Sequence, residues 1–315
     1  MSFAKPNIIF STFTSVSNTT TTASIRRALT LRSHLSFSSL KMPSSKPITT
    51  AAALIIGDEV LNGKIKDTNS TYFAHFCFRN NIELRRIAVV PDEEEDIVET
   101  LRRFASKYDF IITSGGIGPT HDDITYEAVA KAFDVPVALD QELADRMHSR
   151  GSKIDPSNKE AYAAQLRMAI IPVADETKGV TVEKIYIDEN LWVPSVSVNS
   201  QVHILPGIPQ LFERMLEGLL PHIEKRLNTN QLLRYYVSTK LRESEIAPYL
   251  TKKQKEVNSK GIKLGSYPHI SFGVNTVSII GKQSDEEFLK ELVKDVEENV
   301  EGKEISKEEE ARISA

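Results

Sequence analysis

The sequence predicts an α/β fold built on a parallel sheet, followed by a smaller C-terminal α+β subdomain. Three observations predict it. Short apolar runs recur at 51–57, 83–90 and 109–114; amphipathic segments separate them; and the links between the two kinds of segment are only a few residues long. Uninterrupted apolar runs suit strands covered on both faces. Alternation of strand and helix with short links makes right-handed crossovers the expected connection.

Each element has its own signal. AAALIIG at 51–57 reads as the first strand, and TNSTYFAHFCFRNN at 68–81 as a helix with apolar residues at Tyr72, Phe73, Phe76 and Phe78. ELRRIAVV at 83–90 is the second strand. PDEEEDIVETLRRFASKY at 91–108 is a helix with Ile97, Val98, Leu101 and Phe104 on one face. DFIITS at 109–114 is the third strand, and the next helix opens at DITYEAVAKAFD, 123–134. Beyond 150 the rhythm loosens. A helix at 157–171, two or three strands within 182–209, and a helical pair at 210–227 broken at Pro221 are expected to close the first domain. From 234 a strand, a helix, a hairpin at 263–282 and a helix with Ser284 and Glu287 at capping-box spacing make the small subdomain. Residues 303–315 read as a charged, frayed tail. The expected boundaries are therefore 1–45, 48–228, 232–302 and 303–315.

Composition narrows the function. With 315 residues, 40% apolar and 26% charged, the chain can bury one large core or two smaller ones. The single cysteine, Cys77, forms no internal disulfide and suits a reducing compartment. No apolar run reaches the roughly 20 residues of a membrane-spanning helix. The net charge of −4 hides an asymmetry, since all acids lie beyond residue 57 while six bases lie before it. The Ser/Thr-rich, acid-free start, with SIRRALTLRSHLSF able to form a basic amphipathic helix, is expected to be a mitochondrial presequence or a disordered basic arm. Initiation at Met42 would give a cytosolic form lacking it. The remainder, at −10, disfavours nucleic acid as a partner.

Candidate chemistry lies where strands end. TSGGIGPTHDD at 113–123 follows a buried strand, and Gly115, Gly116 and Gly118 let the backbone approach a ligand closely. Their N–H groups, with Ser114 and Thr120, suggest a phosphate cradle at a helix start. Asp122 and Asp123 would repel that phosphate unless a divalent cation such as Mg²⁺, Mn²⁺ or Co²⁺ lay between. Taken alone, the same residues also describe a glycine turn with an Asp N-cap. A second acidic loop, IIGDEVLNGKIKDTN at 55–69, offers Gly57, Asp58 and Glu59. If its strand neighbours the third, Glu59 and Asp123 converge. Asp92, after the second strand, is a third acid or a plain helix start. His121, Lys64 and Arg167 are phosphate or metal candidates or ordinary surface groups. Pro206, Gly207 and Pro209 in LPGIP form a pocket wall or a simple turn. Trp192 and Tyr267 either stack on a ring or belong to the core.

GDEVLNGKIKDTN, SGGIGPTHDDITYEAVAKAF and LPGIP, in this order and spacing, resemble the MoaB/Mog molybdopterin-binding domain, in the form that begins CinA proteins and precedes FAD synthetases of eukaryotes. RESEIAPYL and GSYPHISFG resemble the small subdomain of the CinA type, so the likeness covers about 50–300. The resemblance implies a three-layer, mostly parallel α/β sheet, a dimer or trimer, and a pterin- or nucleotide-phosphate pocket with acidic positions at Asp92 and Asp123. It further implies metal-dependent hydrolysis of a dinucleotide pyrophosphate such as FAD or ADP-ribose. On that reading Glu59, Asp122 and Asp123 hold the metal, with Asp92 or Asp58 positioning water. ENLWVPSVSVNS replaces the glycine-rich NPxGTAPG segment of CinA proteins, which puts contacts from that segment in doubt. No amidohydrolase or adenylyltransferase domain follows within the sequence, so neither nicotinamide-nucleotide deamidation nor FAD synthesis is expected. Two other readings stand beside hydrolysis: pterin or nucleotide binding or adenylylation in molybdenum cofactor metabolism, and a non-catalytic nucleotide-binding protein.

Overall fold

The computed structural model describes residues 46–151, 157–227 and 232–314; the expected presequence at 1–45 lies outside the described residues. In chain order come β1 (Thr50–Ile56), the single turn α1 (Asp58–Leu61), α2 (Asn69–Arg79), β2 (Glu83–Val90), α3 (Glu94–Ala105) and β3 (Phe110–Ser114). Then follow α4 (Thr125–Ala132), β4 (Val137–Leu139), α5 (Gln141–Arg150), α6 (Lys159–Arg167), β5 (Ile170–Pro172), β6 (Val182–Ile185), β7 (Ser195–Val198), β8 (Val202–Leu205) and α7 (Pro209–Ile223). The small subdomain holds β9 (Leu232–Thr239), α8 (Glu243–Val257), β10 (Lys263–His269), β11 (Val274–Lys282), α9 (Glu286–Asn299), β12 (Gly302–Ile305) and α10 (Lys307–Ser314).

The main sheet runs β2-β1-β3-β8-β7-β6. Its first four strands are parallel, while β7 and β6 pair antiparallel at one edge. Strand β1 shows why its sequence is apolar throughout. Ala52, Leu54 and Ile56 enter one core with Leu101 and Phe104 of α3 and Val129 of α4. Ala51, Ala53 and Ile55 enter the other with Phe73 and Phe76 of α2 and Phe212 of α7. Helices thus cover both faces, which makes the three layers. The antiparallel edge starts where Asn199 and Ser200 both take positive φ, 55° and 51°, the geometry of a tight hairpin turn. Among the described residues no helix is long and apolar enough to cross a membrane.

Four local expectations are corrected. Ile170–Pro172 is not the end of a helix but a strand paired with β4, because α6 stops at Arg167. Helix α7 continues through Pro221, whose ring lies on the exposed side. Water there can satisfy the carbonyl that loses its donor. Ser284 and Glu287 form no capping box, since residues 283–285 make a 3₁₀ turn and Asp285 becomes the N-cap. The stretch after 302 is not frayed: β12 adds to the edge of β9, and α10 follows it. In the subdomain, β10-β11-β9-β12 form an antiparallel sheet packed on α9 through Val277, Ile279, Leu292 and Val296.

At the opposite end of the main sheet from the glycine loops, Asp109 ties β3 to the start of β1. Its Oδ2 accepts from Thr49 N–H at 3.2 Å, Thr49 Oγ1 at 2.8 Å, Thr50 N–H at 3.0 Å and Thr50 Oγ1 at 2.9 Å, and Lys46 Nζ is 2.8 Å from Oδ1. Burial alone would raise this carboxyl, but Lys46 and the threonine donors outweigh it and hold it well below the carboxylate range. A depressed carboxylate adds stability that is complete above its unfolded pKa, about 4, and is lost as pH falls through the folded value. Asp109→Asn should therefore cost about 2 kcal/mol at neutral pH and flatten the loss of stability below about pH 4, as read by urea unfolding across pH. An unchanged urea midpoint at pH 7 would count against this role.

Candidate functional site

The carboxyl ends of β1, β3 and β8 lie side by side, so the loops after them meet. The β3 loop can sit this close only because of two glycines. Gly115 has φ +110°, and a Cβ there would stand 2.2 Å from the Ile56 carbonyl oxygen. Gly116 has φ +65°, and its Cβ would stand 2.2 Å from Thr125 Oγ1, which itself donates to the Gly115 carbonyl at 2.9 Å. Gly115 N–H in turn donates to Leu205 at the end of β8, at 3.2 Å.

Between the loops lies a cavity of about 520 Å³, within the range of small-molecule sites. Of the residues singled out in the sequence, Glu59, Ser114, Gly115, Gly116, Gly118, Asp123, Pro206, Gly207 and Pro209 line it. Gly57, Asp58, Asp92, Thr120 and Asp122 do not. The walls are largely apolar, with Ile56, Ile117, Met168, Trp192 and Ile208 prominent. Trp192 is therefore part of the site rather than of the core alone. Tyr267 is half exposed on β10 and takes no part.

Several polar groups are already engaged. Asp123 closes its own loop: Gly118 N–H donates to Oδ1 at 2.6 Å, Thr120 N–H to Oδ2 at 2.9 Å, and the Thr120 hydroxyl also to Oδ2. Of the three glycine amides expected to cradle phosphate, Gly115 and Gly118 are thus spent within the protein. Arg167 reaches the Asp123 carbonyl, at 3.3 Å, and not the cavity. His121 and Asp122 point to solvent, with side chains 95% and 55% exposed. Lys64 is exposed at the surface, where its N–H donates to Asn62 Oδ1 at 3.0 Å.

Beside the cavity, Asp92 Oδ2 accepts from Asp58 N–H at 3.0 Å. Burial raises the Asp92 carboxyl above its ordinary range; the Asp58 N–H works against this, and the charges of Glu59, Asp58 and Asp122 add to it. The acids from three loops therefore share one negative neighbourhood. Among the described residues no three His, Cys, Asp or Glu side chains are placed to hold a metal ion. Glu59 is the cavity carboxylate whose oxygens accept no hydrogen bond among the described residues.

Sequence reasoning overlooked Lys66, Asp67 and Asn69, which also line the cavity at the start of α2. Asp67 Oδ1 accepts from Ser70 N–H at 3.0 Å and so caps the helix. Asn69 is buried, and its Nδ2 donates both to Ser114 Oγ and to the Gly207 carbonyl, each at 2.9 Å. One amide thereby joins the β3 loop, the β8 loop and α2. In sequence, Asp67 to Asn69 are only where the second acidic loop gives way to the helix, and nothing in them marks a contact 138 residues away.

Residues 52–225 match the family described as probable molybdopterin binding domain, and residues 231–309 match the FAD synthase middle domain. A CinA-like protein of Myxococcus xanthus is 33% identical over 229 residues, covering 71% of this chain and 50% of its own length. A probable FAD synthase of Caenorhabditis elegans is 29% identical over 244 residues, covering 74% of this chain and 46% of its own. The chain spans about half the length of these curated relatives. Among solved structures, the protein CinA of Thermoplasma acidophilum, of unknown function, aligns at 26% identity with a TM-score of 0.48, covering 56% of this chain and 99% of that one.

Proposed function

We propose, from the premise that this chain belongs to the probable molybdopterin binding domain family, that its cavity binds a phosphate-bearing fused heterocycle, a pterin or a nucleotide. The observation that carries this reading is the single cavity shared by the loops after β1, β3 and β8, apolar along its walls and sparse in polar groups. Such a lining suits a flat ring, which gains from burial of its faces and needs only a few oriented contacts. The match of residues 231–309 to the FAD synthase middle domain, and a probable FAD synthase among the relatives, are the reason for counting flavin nucleotides among the candidates.

A second reading, hydrolysis of a dinucleotide pyrophosphate such as FAD or ADP-ribose, is favoured by one feature. Glu59 and Asp123, from separate strand ends, line the same cavity, and Asp58, Asp92 and Asp122 lie alongside. Mg²⁺ and similar ions are commonly held by one or two carboxylates plus the phosphates of the substrate, so a closed protein cage is not required. Glu59 is the residue that would hold such an ion, which would neutralise the diphosphate; Asp123 would keep the loop in place.

Trp192 is the sole tryptophan of the chain and lines the cavity, so its fluorescence reports occupancy. Titration with FAD, FMN, ADP-ribose and 6-hydroxymethylpterin should give saturable quenching with at least one. Chromatography of the FAD and ADP-ribose mixtures with Mn²⁺ then separates the readings: AMP appears only if the protein hydrolyses. Absence of binding by all four would sink both.

A further inference from the structure

Resting on the ligand-binding reading above, we infer that Trp192 is the surface on which the ring of the ligand packs, and that Arg146, which does not itself line the cavity, is the positioning residue that sets it there. The segment from Tyr186 to Pro194 joins β6 to β7 without regular structure, so its backbone groups need partners from elsewhere. Arg146 of α5 supplies several. Its Nε donates to the Leu191 carbonyl at 3.1 Å, and its Nη2 to the carbonyls of Asp188 and Glu189, each at 3.3 Å. The same guanidinium lies over the Tyr186 ring, 4.1 Å from its centroid. Lysine, with one ammonium in place of the guanidinium fork, cannot serve all these partners together. The segment is also fastened to α7. Asp188 pairs with Arg214, and Ile187 fills the notch at Gly218, where a Cβ would stand 1.7 Å from Ile187 Cγ2.

The segment is thereby clamped between α5 and α7 just before Trp192, and Val193 just after it is buried in the core. The indole also meets Gly151 at the end of α5, since a Cβ there would lie 3.2 Å from Cδ1 and 3.4 Å from Nε1. Held in this way, it stands with Ile117 and Met168 as an apolar wall of the cavity. A pre-positioned indole suits a flat ring, because contact between aromatic groups adds to the burial of their surfaces and little further ordering is needed on binding. This wall belongs to ENLWVPSVSVNS, the stretch that replaces the glycine-rich segment of CinA proteins. A side chain therefore meets the ligand here, and it selects for aromatic rings.

The test uses the full chain and calorimetry, because variants at Trp192 lose the fluorescence signal. FAD, FMN, ADP-ribose and 6-hydroxymethylpterin are titrated in turn. For each that binds the wild type, Trp192→Leu, apolar but not aromatic, should weaken binding about fivefold or more, and Trp192→Phe by no more than about twofold. Arg146→Lys should weaken it about threefold and, in the ligand-free protein, increase acrylamide quenching of Trp192 emission about twofold. Its effect on affinity should vanish in the Trp192→Leu background, because Arg146 acts through the indole. Arg146→Gln, which keeps one donor, takes its place if the lysine variant fails to fold. Equal affinity of wild type and Trp192→Leu for every ligand that binds overturns the role of Trp192, while the ligand-binding reading stands. Unchanged quenching, or a loss of affinity of the same size in both backgrounds, overturns the role of Arg146. If none of the four ligands binds the wild type, the reading above fails and this inference with it.

Discussion

Gly115→Ala should destabilise the protein by at least about 4 kcal/mol, at the extreme end of what single substitutions do. Two costs coincide at this position. At φ +110° an alanine is strained whatever its surroundings. Its Cβ would also lie 2.2 Å from the Ile56 carbonyl oxygen, a backbone atom that cannot turn aside. Relief would require β1 and β3 to separate at the end where the cavity opens, so any protein that still folds should lose ligand binding. Gly63→Ala provides the control. Gly63 also has positive φ, +76°, but nothing stands within 4 Å of a Cβ there, so about 1 kcal/mol is expected. Thermal unfolding of the two variants against wild type measures the difference. Equal melting temperatures for Gly115→Ala and wild type would show that the loop is not held as described.

The same contrast explains what was legible in the sequence. Gly115 and Gly116 stand out because a required conformation leaves a residue type behind it, and β1 stands out because burial on two faces leaves no room for polar residues. The convergence of Glu59 with Asp123 followed from topology, since adjacent parallel strands end at the same edge. Other features leave no local trace. Asn69 serves the site through Gly207, and that contact exists only because β8 is inserted beside β3. Strand β12, with the sequence GKEI, is charged and largely exposed; it forms because the free edge of β9 supplies its backbone partners. The use of Gly115 and Gly118 N–H groups inside the protein was hidden too. A glycine loop advertises close backbone approach without saying whether the amides face a ligand or the rest of the fold.

Acid should destabilise the protein well above the pH at which carboxylates protonate, and His203 is the reason. On β8 it is fully enclosed against Phe110, with ring centroids 5.1 Å apart, and neither ring nitrogen completes a hydrogen bond. Burial first, then the charge of Arg226, pushes its pKa down to about 3; the backbone at Ser200 acts in the other direction, and His222 adds to the depression. In the unfolded chain the same group titrates near 6.5. Lowering the pH therefore adds a proton to the unfolded state before the folded one, so stability is full above about 6.5 and declines until about 3. By pH 5 the loss amounts to about 2 kcal/mol. His203→Phe removes both the titration and two unpaired nitrogens with little change of shape, so it should match or exceed wild-type stability at pH 7 and abolish the decline between pH 7 and 5. Asp109 does not confuse this window, because its contribution fades only below about pH 4. Urea midpoints at pH 7, 6 and 5 for the two proteins decide it: parallel declines would mean that the acid sensitivity arises elsewhere.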